Sequence, residues 1–284
     1  MSEKRRLPPH ATVAYADESA NQVLDLYLPV VATEAPSPVV IAIHGGAFAF
    51  GNRRSELNAL TELLNRGWAV ASVEYRLSGE AIFPAAVRDV KMAVGYLRAR
   101  SAQWNLDPAF FAAWGRSAGG YLSAMLGVTT GQDTIFDKPS DDSGVQAVID
   151  WYGPSDFLLM DTQFADGPPD GQGPDVQIHD ELQSPESHFL GGPIQQTPEL
   201  ARQANPIAYI PSCPKLPPFF LAAGTNDRLV PHQQTLILDS ALREHGADVE
   251  LRMLPGARHG DTLFEKEVTP DVIDWLLKLH AQRP

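Results

Sequence analysis

The amino-acid sequence predicts an α/β fold built on a mostly parallel sheet with helices on both faces. Along most of its 284 residues, short apolar runs alternate with segments whose apolar residues recur at helical spacing. Strands that alternate with helices are typical of βαβ units, whose strands pair in parallel. Hydrophobic residues make up 44% and charged residues 20% of the chain, as in an ordinary globular protein. The length suits a single domain over residues 1–284 that carries one insertion.

The N-terminal half predicts an edge hairpin followed by alternating strands and helices. Residues 11–15 and 22–28 have strand character and no helix between them, which indicates a hairpin added at one edge of the sheet. Buried strands are expected over 39–43 and 68–75. Two helices are expected from their apolar spacing, the first with Leu57, Leu60 and Leu64 and the second with Val87, Val90, Val94 and Leu97.

The C-terminal half continues the alternation. The stretch AAWGRSAGGYLSAML (112–126) predicts a strand, a glycine turn and a helix, and further strands are expected over 145–152, 219–223 and 249–254. Two more helices are expected, one with Leu238, Ala241 and Leu242 on one face and a final one with Val272, Leu276 and Leu279.

Residues 153–218 interrupt this rhythm. They hold 12 of the 24 prolines and little clear periodicity, and a structureless loop of that length is uncommon in a compact domain. We therefore expect an insertion over one end of the sheet, with short helices of its own. Its aspartates do not follow the alternating ligand spacing of a calcium loop, so a solvated acidic surface is predicted and no metal site. These are Asp161, Asp166, Asp170, Asp175 and Asp180.

The turn Gly115-Arg116-Ser117-Ala118-Gly119 suggests a nucleophile. A G-x-S-x-G motif that follows a buried strand and opens a helix is the setting of a nucleophile elbow, in which the serine hydroxyl stands above the sheet. The start of a helix also favours developing negative charge. Ser117 is therefore the predicted nucleophile, although a small residue in a tight turn would give the same motif.

The segment HGGAF (44–48) is predicted to supply the oxyanion hole. It follows the strand over 39–43, and its Gly45-Gly46 pair allows the backbone to turn N–H groups towards a ligand. Together with the N–H of Ala118, the residue after the nucleophile, this loop can stabilise the oxyanion of a tetrahedral intermediate.

A serine hydroxyl is a weak nucleophile without a base, and His259 is the predicted base. It lies in Gly256-Ala257-Arg258-His259-Gly260, just after the last strand, where open α/β sheets place their sites. The chain order Ser…Asp…His confines the orienting acid to the residues between Ser117 and His259. Asp227 and Asp156 both follow strands there, and Asp227 is preferred because Asp156 can cap the start of the insertion. The other histidines are less well placed: His10, His44, His179, His188, His232, His245 and His280.

Together these segments resemble the α/β-hydrolase esterases, especially the branch near the hormone-sensitive lipases and the bacterial acetyl and feruloyl (BD-FAE-like) esterases. The resemblance implies an eight-stranded, mostly parallel sheet and hydrolysis of carboxylic esters through an acyl-enzyme. It implies Ser117, Asp227 and His259 as the triad, with the N–H groups of Gly46, Ala47 and Ala118 as the oxyanion hole. The segments that carry it are HGGAF, GRSAGG, GTNDRLVP and GARHGD, with LDLYLP (24–29) and YRLS…FPAAVRDV (75–90) in support.

The sequence departs from the family pattern at Ala47. Many relatives carry HGGG, and Ala47 stands at the third glycine. Alanine keeps its N–H, so the hole is expected to survive if the φ angle of Ala47 is negative. Phe48, Trp151 and Tyr152 are candidates for the substrate-binding wall, with core packing as the alternative for the last two.

The predicted activity is hydrolysis of short-acyl esters, because the insertion is rich in Pro, Gly and Asp and lacks a long apolar run to form a lipid-binding lid. An amidase or formamidase with the same triad, or a non-catalytic binding protein on the same fold, remain alternatives. Competition between matched ester and formamide substrates separates the first two.

Composition limits the partners. The formal charge of -13 argues against nucleic acid, no apolar run is long enough for a membrane span or signal peptide, and the single cysteine, Cys213, excludes an internal disulfide. No cofactor is expected. The expected partner is a small-molecule ester, with a homodimer possible, in a cytoplasmic setting.

Overall fold

The computed structural model describes residues 8–31, 34–55, 61–131, 142–164 and 177–283. These residues contain an eight-stranded sheet in the order β1-β2-β4-β3-β5-β6-β7-β8. β1 and β2 pair antiparallel as the predicted edge hairpin, β2 is antiparallel to β4, and all other pairs are parallel. The strands are β1 Ala11–Ala14, β2 Val23–Tyr27, β3 Ser37–Ile43, β4 Ala69–Val73, β5 Leu106–Arg116, β6 Ala147–Trp151, β7 Phe219–Gly224 and β8 Val249–Leu254.

Seven α-helices accompany the sheet in the described residues. The final helix begins with Thr269-Pro270, and proline is favourable there because the first helical N–H groups have no intrahelical acceptor. Leu57 and Leu60 of the predicted first helix lie outside the described residues, whereas Leu64 lies in α1 as expected. The helices are α1 Thr61–Asn65, α2 Ala85–Ala99, α3 Ala118–Val128, α4 Pro185–Leu190, α5 Pro198–Gln203, α6 Gln233–Glu244 and α7 Thr269–Ala281.

Two hydrophobic layers form the core, one on each face of the sheet. Side chains alternate across a strand, so Val39 and Ile41 of β3 enter one layer while Val40 enters the other. α2, α3 and α6 pack on the first face, and α1 and α7 on the second. Every residue of α3 is buried, which explains why this helix is apolar all round.

The segment between β6 and β7 contains short helices, of which α4 and α5 are the α-helical ones. Pro185 and Pro198 stand at the start of these two helices, a position that favours proline. Asp166, Asp170 and Asp175 lie outside the described residues. No helix in the described part of the chain is both long and apolar enough to cross a membrane.

Candidate active site

Ser117 lies on a sharp turn between β5 and α3. Its φ and ψ are 54° and -123°, a strained conformation for any residue other than glycine. The turn is fixed by a hydrogen bond from the Ser117 N–H to the carbonyl of Trp151 on β6, at 2.8 Å. A Cβ atom on Gly119 would stand only 2.1 Å from the carbonyl oxygen of Ile43, so the close approach of α3 to β3 requires glycine there. The strain is therefore held by the surrounding packing.

His259 and Asp227 meet at the carboxyl ends of β8 and β7. The Nδ1 atom of His259 lies 2.6 Å from Oδ2 of Asp227, which is 1% exposed. The other carboxylate oxygen, Oδ1, accepts the backbone N–H groups of Leu229 at 2.8 Å and Val230 at 3.0 Å. Two N–H donors fix the carboxylate, and the carboxylate in turn orients the imidazole so that Nε2 is left for chemistry.

Asp156, the other candidate acid, has a different contact. Its carboxylate accepts the backbone N–H of Leu158 at 3.0 Å and caps the short 3₁₀ turn Phe157–Leu159. Burial raises the pKa of the Asp156 carboxyl. The structure thus brings Asp227, and not Asp156, into hydrogen-bond contact with His259.

The loop after β3 turns through three consecutive residues with positive φ: Gly46 at 123°, Ala47 at 51° and Phe48 at 59°. The φ of Ala47 is therefore positive, so the condition stated for it from the sequence is not met; the loop folds back so that the N–H groups of Ala49 and Phe50 donate to the carbonyl of Gly46. Among the described residues, the N–H groups of Gly46, Ala47 and Ala118 find no protein acceptor, and all three residues line one cleft. The arrangement can present N–H donors to an oxyanion despite the positive φ.

We expect Ala47→Gly to raise the free energy of unfolding by up to about 1 kcal/mol. Left-handed backbone costs a non-glycine residue about 1–2 kcal/mol, which exceeds the roughly 0.4–1 kcal/mol that the more flexible unfolded glycine variant costs. Urea denaturation measures this. Ala49→Gly is the matched control, since Ala49 is exposed and is not among the positive-φ residues. This variant should show only the destabilisation that comes from the greater conformational entropy of its unfolded chain. A loss of stability in Ala47→Gly as large as in the control contradicts the assignment of strain.

The cleft that contains Ser117 and His259 has a volume of about 390 Å³. Phe48 and Tyr152, two of the candidates for the substrate-binding wall, line it. Tyr152 also packs edge-on against the His259 ring, with the centroids 4.6 Å apart. Trp151 does not line the cleft. It is 0% exposed and packs between Trp114 and Phe264, because β6 directs its side chain into the second core layer. Its prediction as a binding residue is wrong.

A segment of the insertion that the sequence did not single out borders this cleft. Within it, His179 is 1% exposed; its Nδ1 lies 2.7 Å from Oδ1 of Asp161, and its Nε2 donates to the carbonyl of Leu229 at 2.7 Å. Gln177 donates its backbone N–H to the carbonyl of Arg228 at 3.2 Å. We call residues 177–187 the strap. It is bonded directly to the two residues that follow Asp227, a long-range pairing with no local sequence signal.

Asp150 is a fully buried carboxyl behind the elbow. It is 3% exposed, and its Oδ1 accepts the backbone N–H of Gly153 at 2.9 Å, which closes the turn that carries Tyr152. Burial raises the pKa of Asp150 to about 7. Between the unfolded value and about 7 the folded protein holds a proton that the unfolded chain has released. Stability therefore falls as pH rises through this window.

We expect Asp150→Asn to remove this pH dependence. Asparagine keeps the acceptor for Gly153 but cannot ionise, so its stability relative to the parent protein should increase by about 2–3 kcal/mol between roughly pH 5 and 7.5. Urea denaturation at both pH values measures the effect. Asp274→Asn, on the exposed side of α7, is the control. Parallel pH curves for the parent and Asp150→Asn are inconsistent with a buried titrating carboxyl.

The described residues contain no group of three or more histidine, cysteine, aspartate or glutamate side chains arranged to hold a metal ion. Cys213 is a half-buried free cysteine, and its Sγ lies 3.7 Å from the carbonyl oxygen of Thr130.

Several solved structures share this architecture. A truncated carbohydrate esterase from gut microbiota is 29% identical, with a TM-score of 0.82 over 97% of this chain and 99% of that chain. Esterase B from Lactobacillus rhamnosis is 19% identical, with a TM-score of 0.77 over 97% of this chain and 88% of that chain, which shows the fold alone.

Curated relatives and a protein family match as well. Esterase LipC of Mycobacterium tuberculosis is 31% identical over 92% of this chain and 62% of its own length. Esterase LipQ of the same organism is 28% identical over 95% of this chain and 62% of its own length, so the chain spans about three fifths of these relatives. The BD-FAE family matches residues 24–242. The chain has the α/β-hydrolase fold and belongs to the BD-FAE family.

Proposed function

We propose that this protein is a serine carboxylesterase that hydrolyses short-acyl esters through an acyl-enzyme. The observation that carries the proposal is one cleft in which a strained Ser117, a His259 paired with Asp227, and backbone N–H groups without protein acceptors occur together. Each of the three requirements of acyl transfer, a nucleophile, a base and oxyanion donors, then has a candidate. Relatives named as esterases support the same reaction.

In the proposed mechanism, Ser117 Oγ attacks the ester carbonyl carbon and His259 Nε2 accepts the hydroxyl proton. The Nδ1–H of His259 donates to Asp227, which stabilises the imidazolium. The carbonyl oxygen becomes an oxyanion that accepts N–H bonds from Ala47, Ala118 and Gly46. The intermediate collapses to the acyl-enzyme, and His259 gives its proton to the departing alcohol.

Deacylation repeats these steps with water. His259 removes a proton from water as the water oxygen attacks the acyl carbon, and the tetrahedral intermediate uses the same N–H donors. Its collapse returns the proton to Ser117 Oγ and releases the carboxylic acid. No step requires a metal or an organic cofactor.

The dimensions and lining of the cleft support a short acyl group. Its volume of about 390 Å³ is at the low end of the range for small-molecule sites. Gln177 and Glu186 contribute polar groups to its wall, so an extended apolar trough is interrupted. Each methylene that finds an apolar wall gains about 0.8 kcal/mol, and the gain ends where the apolar wall ends.

We expect p-nitrophenyl acetate to butyrate to be the best substrates and decanoate to be poor. A series of p-nitrophenyl esters, assayed for kcat/KM below their solubility limits and for rate above them, tests both the reaction and the acyl preference. The absence of turnover on any ester contradicts the esterase proposal. A kcat/KM that rises steadily to palmitate, or a jump in rate when substrate forms a separate phase, contradicts the short-acyl preference.

A further inference from the structure

The cleft contains a buried acid that the proposed mechanism does not use. Glu186, at the start of α4, lines the cleft and is only 5% exposed. Its Oε2 accepts a hydrogen bond from Nε2 of Gln177 at 2.9 Å, and Gln177 lines the cleft as well. A carboxyl and a carboxamide thus stand together in the wall that faces the reacting centre.

The strap holds Glu186 rigidly. The backbone carbonyl of His179 accepts the hydroxyls of Ser184 and Ser187, the latter at 3.1 Å. Ser184 also accepts the N–H of Ser187 at 3.0 Å and so caps α4. Since His179 is in turn bonded to the carbonyl of Leu229 at 2.7 Å, the carboxyl is positioned by a continuous network that ends next to Asp227. Side chains held in this way are suited to recognition.

The surroundings of Glu186 favour a neutral hydrogen-bonding ligand. Leu229, Val230 and Pro154 contribute apolar wall to the same cleft, and burial raises the pKa of the Glu186 carboxyl. Arg116 also lines the cleft, but its guanidinium pairs with Glu265 at 3.1 Å. A buried carboxyl costs free energy unless it is hydrogen-bonded, so a ligand that supplies a donor to it is favoured over one that does not.

We propose that Glu186 is a specificity-determining residue that accepts a hydrogen bond from a hydroxyl group of the substrate, with Gln177 orienting its carboxyl. The enzyme then prefers esters that carry a free hydroxyl near the scissile bond over esters of the same size without one. The inference rests on the proposed esterase function, since it assigns a role within the same cleft.

Matched substrate pairs test this in the unaltered protein. Glycerol monoacetate and propyl acetate differ by hydroxyls on the alcohol side, and p-nitrophenyl 3-hydroxybutyrate and p-nitrophenyl butyrate differ by one on the acyl side. We expect kcat/KM to favour the hydroxylated member of at least one pair by about 10-fold or more, as for a hydrogen bond to a charged group. Equal rates within both pairs overturn the proposal without any variant.

Variants then assign the preference to Glu186. Glu186→Leu should abolish the preference for the hydroxylated ester, whereas Glu186→Gln, whose amide oxygen still accepts a hydroxyl, should retain part of it. Glu181→Gln is the control, since it removes the same charge from an exposed position of the strap. A preference that persists in a folded Glu186→Leu variant overturns the proposal. If Glu186→Leu does not fold, Glu186→Ala takes its place, and a preference that persists in that variant overturns the proposal as well.

Two further measurements distinguish this proposal from recognition of a cation and from failure of the esterase proposal. Acetylcholine tests for a cationic ligand. A kcat/KM for acetylcholine above that for glycerol monoacetate, lost in Glu186→Gln, would show that the carboxylate recognises a positive charge. That result would overturn the hydroxyl assignment. If the parent protein does not turn over p-nitrophenyl acetate, the esterase proposal has failed. Normal turnover of that ester without hydroxyl discrimination would mean that only the role of Glu186 has failed.

Discussion

Replacement of Ser117 by alanine should lower kcat for p-nitrophenyl acetate by about 10⁶. Removal of the nucleophile of a serine triad has a cost of this order, because the histidine and aspartate have no role in acyl transfer without it. The variant should fold, since Ser117 lies at a turn whose backbone is fixed by Trp151 and Gly119 and not by the serine hydroxyl. The measurement is steady-state turnover, with circular dichroism to confirm folding.

A fluorophosphonate should label the parent protein once, at Ser117, as Oγ displaces fluoride from phosphorus. Ser123→Ala is the matched control, because Ser123 lies in α3, the helix that follows Ser117, and donates to the carbonyl of Gly119 at 2.9 Å, away from the cleft. It should keep both turnover and labelling. Stoichiometric labelling of Ser117→Ala, or turnover within tenfold of the parent protein, would exclude Ser117 as the nucleophile.

Asp227→Asn should lower kcat by about 10⁴. Asparagine occupies the same volume but can present its amide N–H₂ to Nδ1 of His259, which stabilises the wrong tautomer and removes the charge that stabilises the imidazolium; in another triad this change has a cost of that size. Oδ1 of Asp227 accepts the N–H groups of Leu229 and Val230, so we expect the amide oxygen of asparagine to keep that position. Its NH₂ group then replaces Oδ2, the atom that faces Nδ1 of His259.

Asp156→Asn provides the comparison. Asparagine is as good a helix cap as aspartate, so the bond from Leu158 should survive and activity should stay within a few-fold of the parent protein. Steady-state kinetics of both variants, with KM reported separately, distinguish the two acids. A larger loss of kcat in Asp156→Asn than in Asp227→Asn would transfer the role of the acid to the loop after β6.

The sequence is most informative about regular elements and about the strand ends that carry polar residues. A short uninterrupted apolar run indicates a strand buried on both faces, and a period-3.6 apolar pattern indicates an amphipathic helix, so β3 and α7 could be located from the sequence. The carboxyl ends of parallel strands meet at one edge of the sheet, which is why the residues after β7 and β8 could be expected to approach each other. His259 and Asp227 do so.

Properties set by long-range packing could not be predicted. The positive φ of Ala47 depends on the fold of the whole loop against α3, and the choice between core and cleft for Trp151 depends on which face of β6 meets α7. The contact between His179 and Leu229 joins residues 50 positions apart. Glu186 lines the cleft, although its own sequence neighbourhood indicates only the start of a short helix.

The strap has a consequence for how this fold can diversify. Loops between sheet strands are commonly regarded as interchangeable parts that change substrate choice while the chemical machinery stays constant. Here the strap also helps to position Asp227. His179 donates to the carbonyl of Leu229, and Leu229 donates its N–H to Asp227. A chimera that exchanges this segment without a donor equivalent to His179 alters the support of the histidine's partner. We therefore expect an exchange of this segment to change substrate range and turnover together.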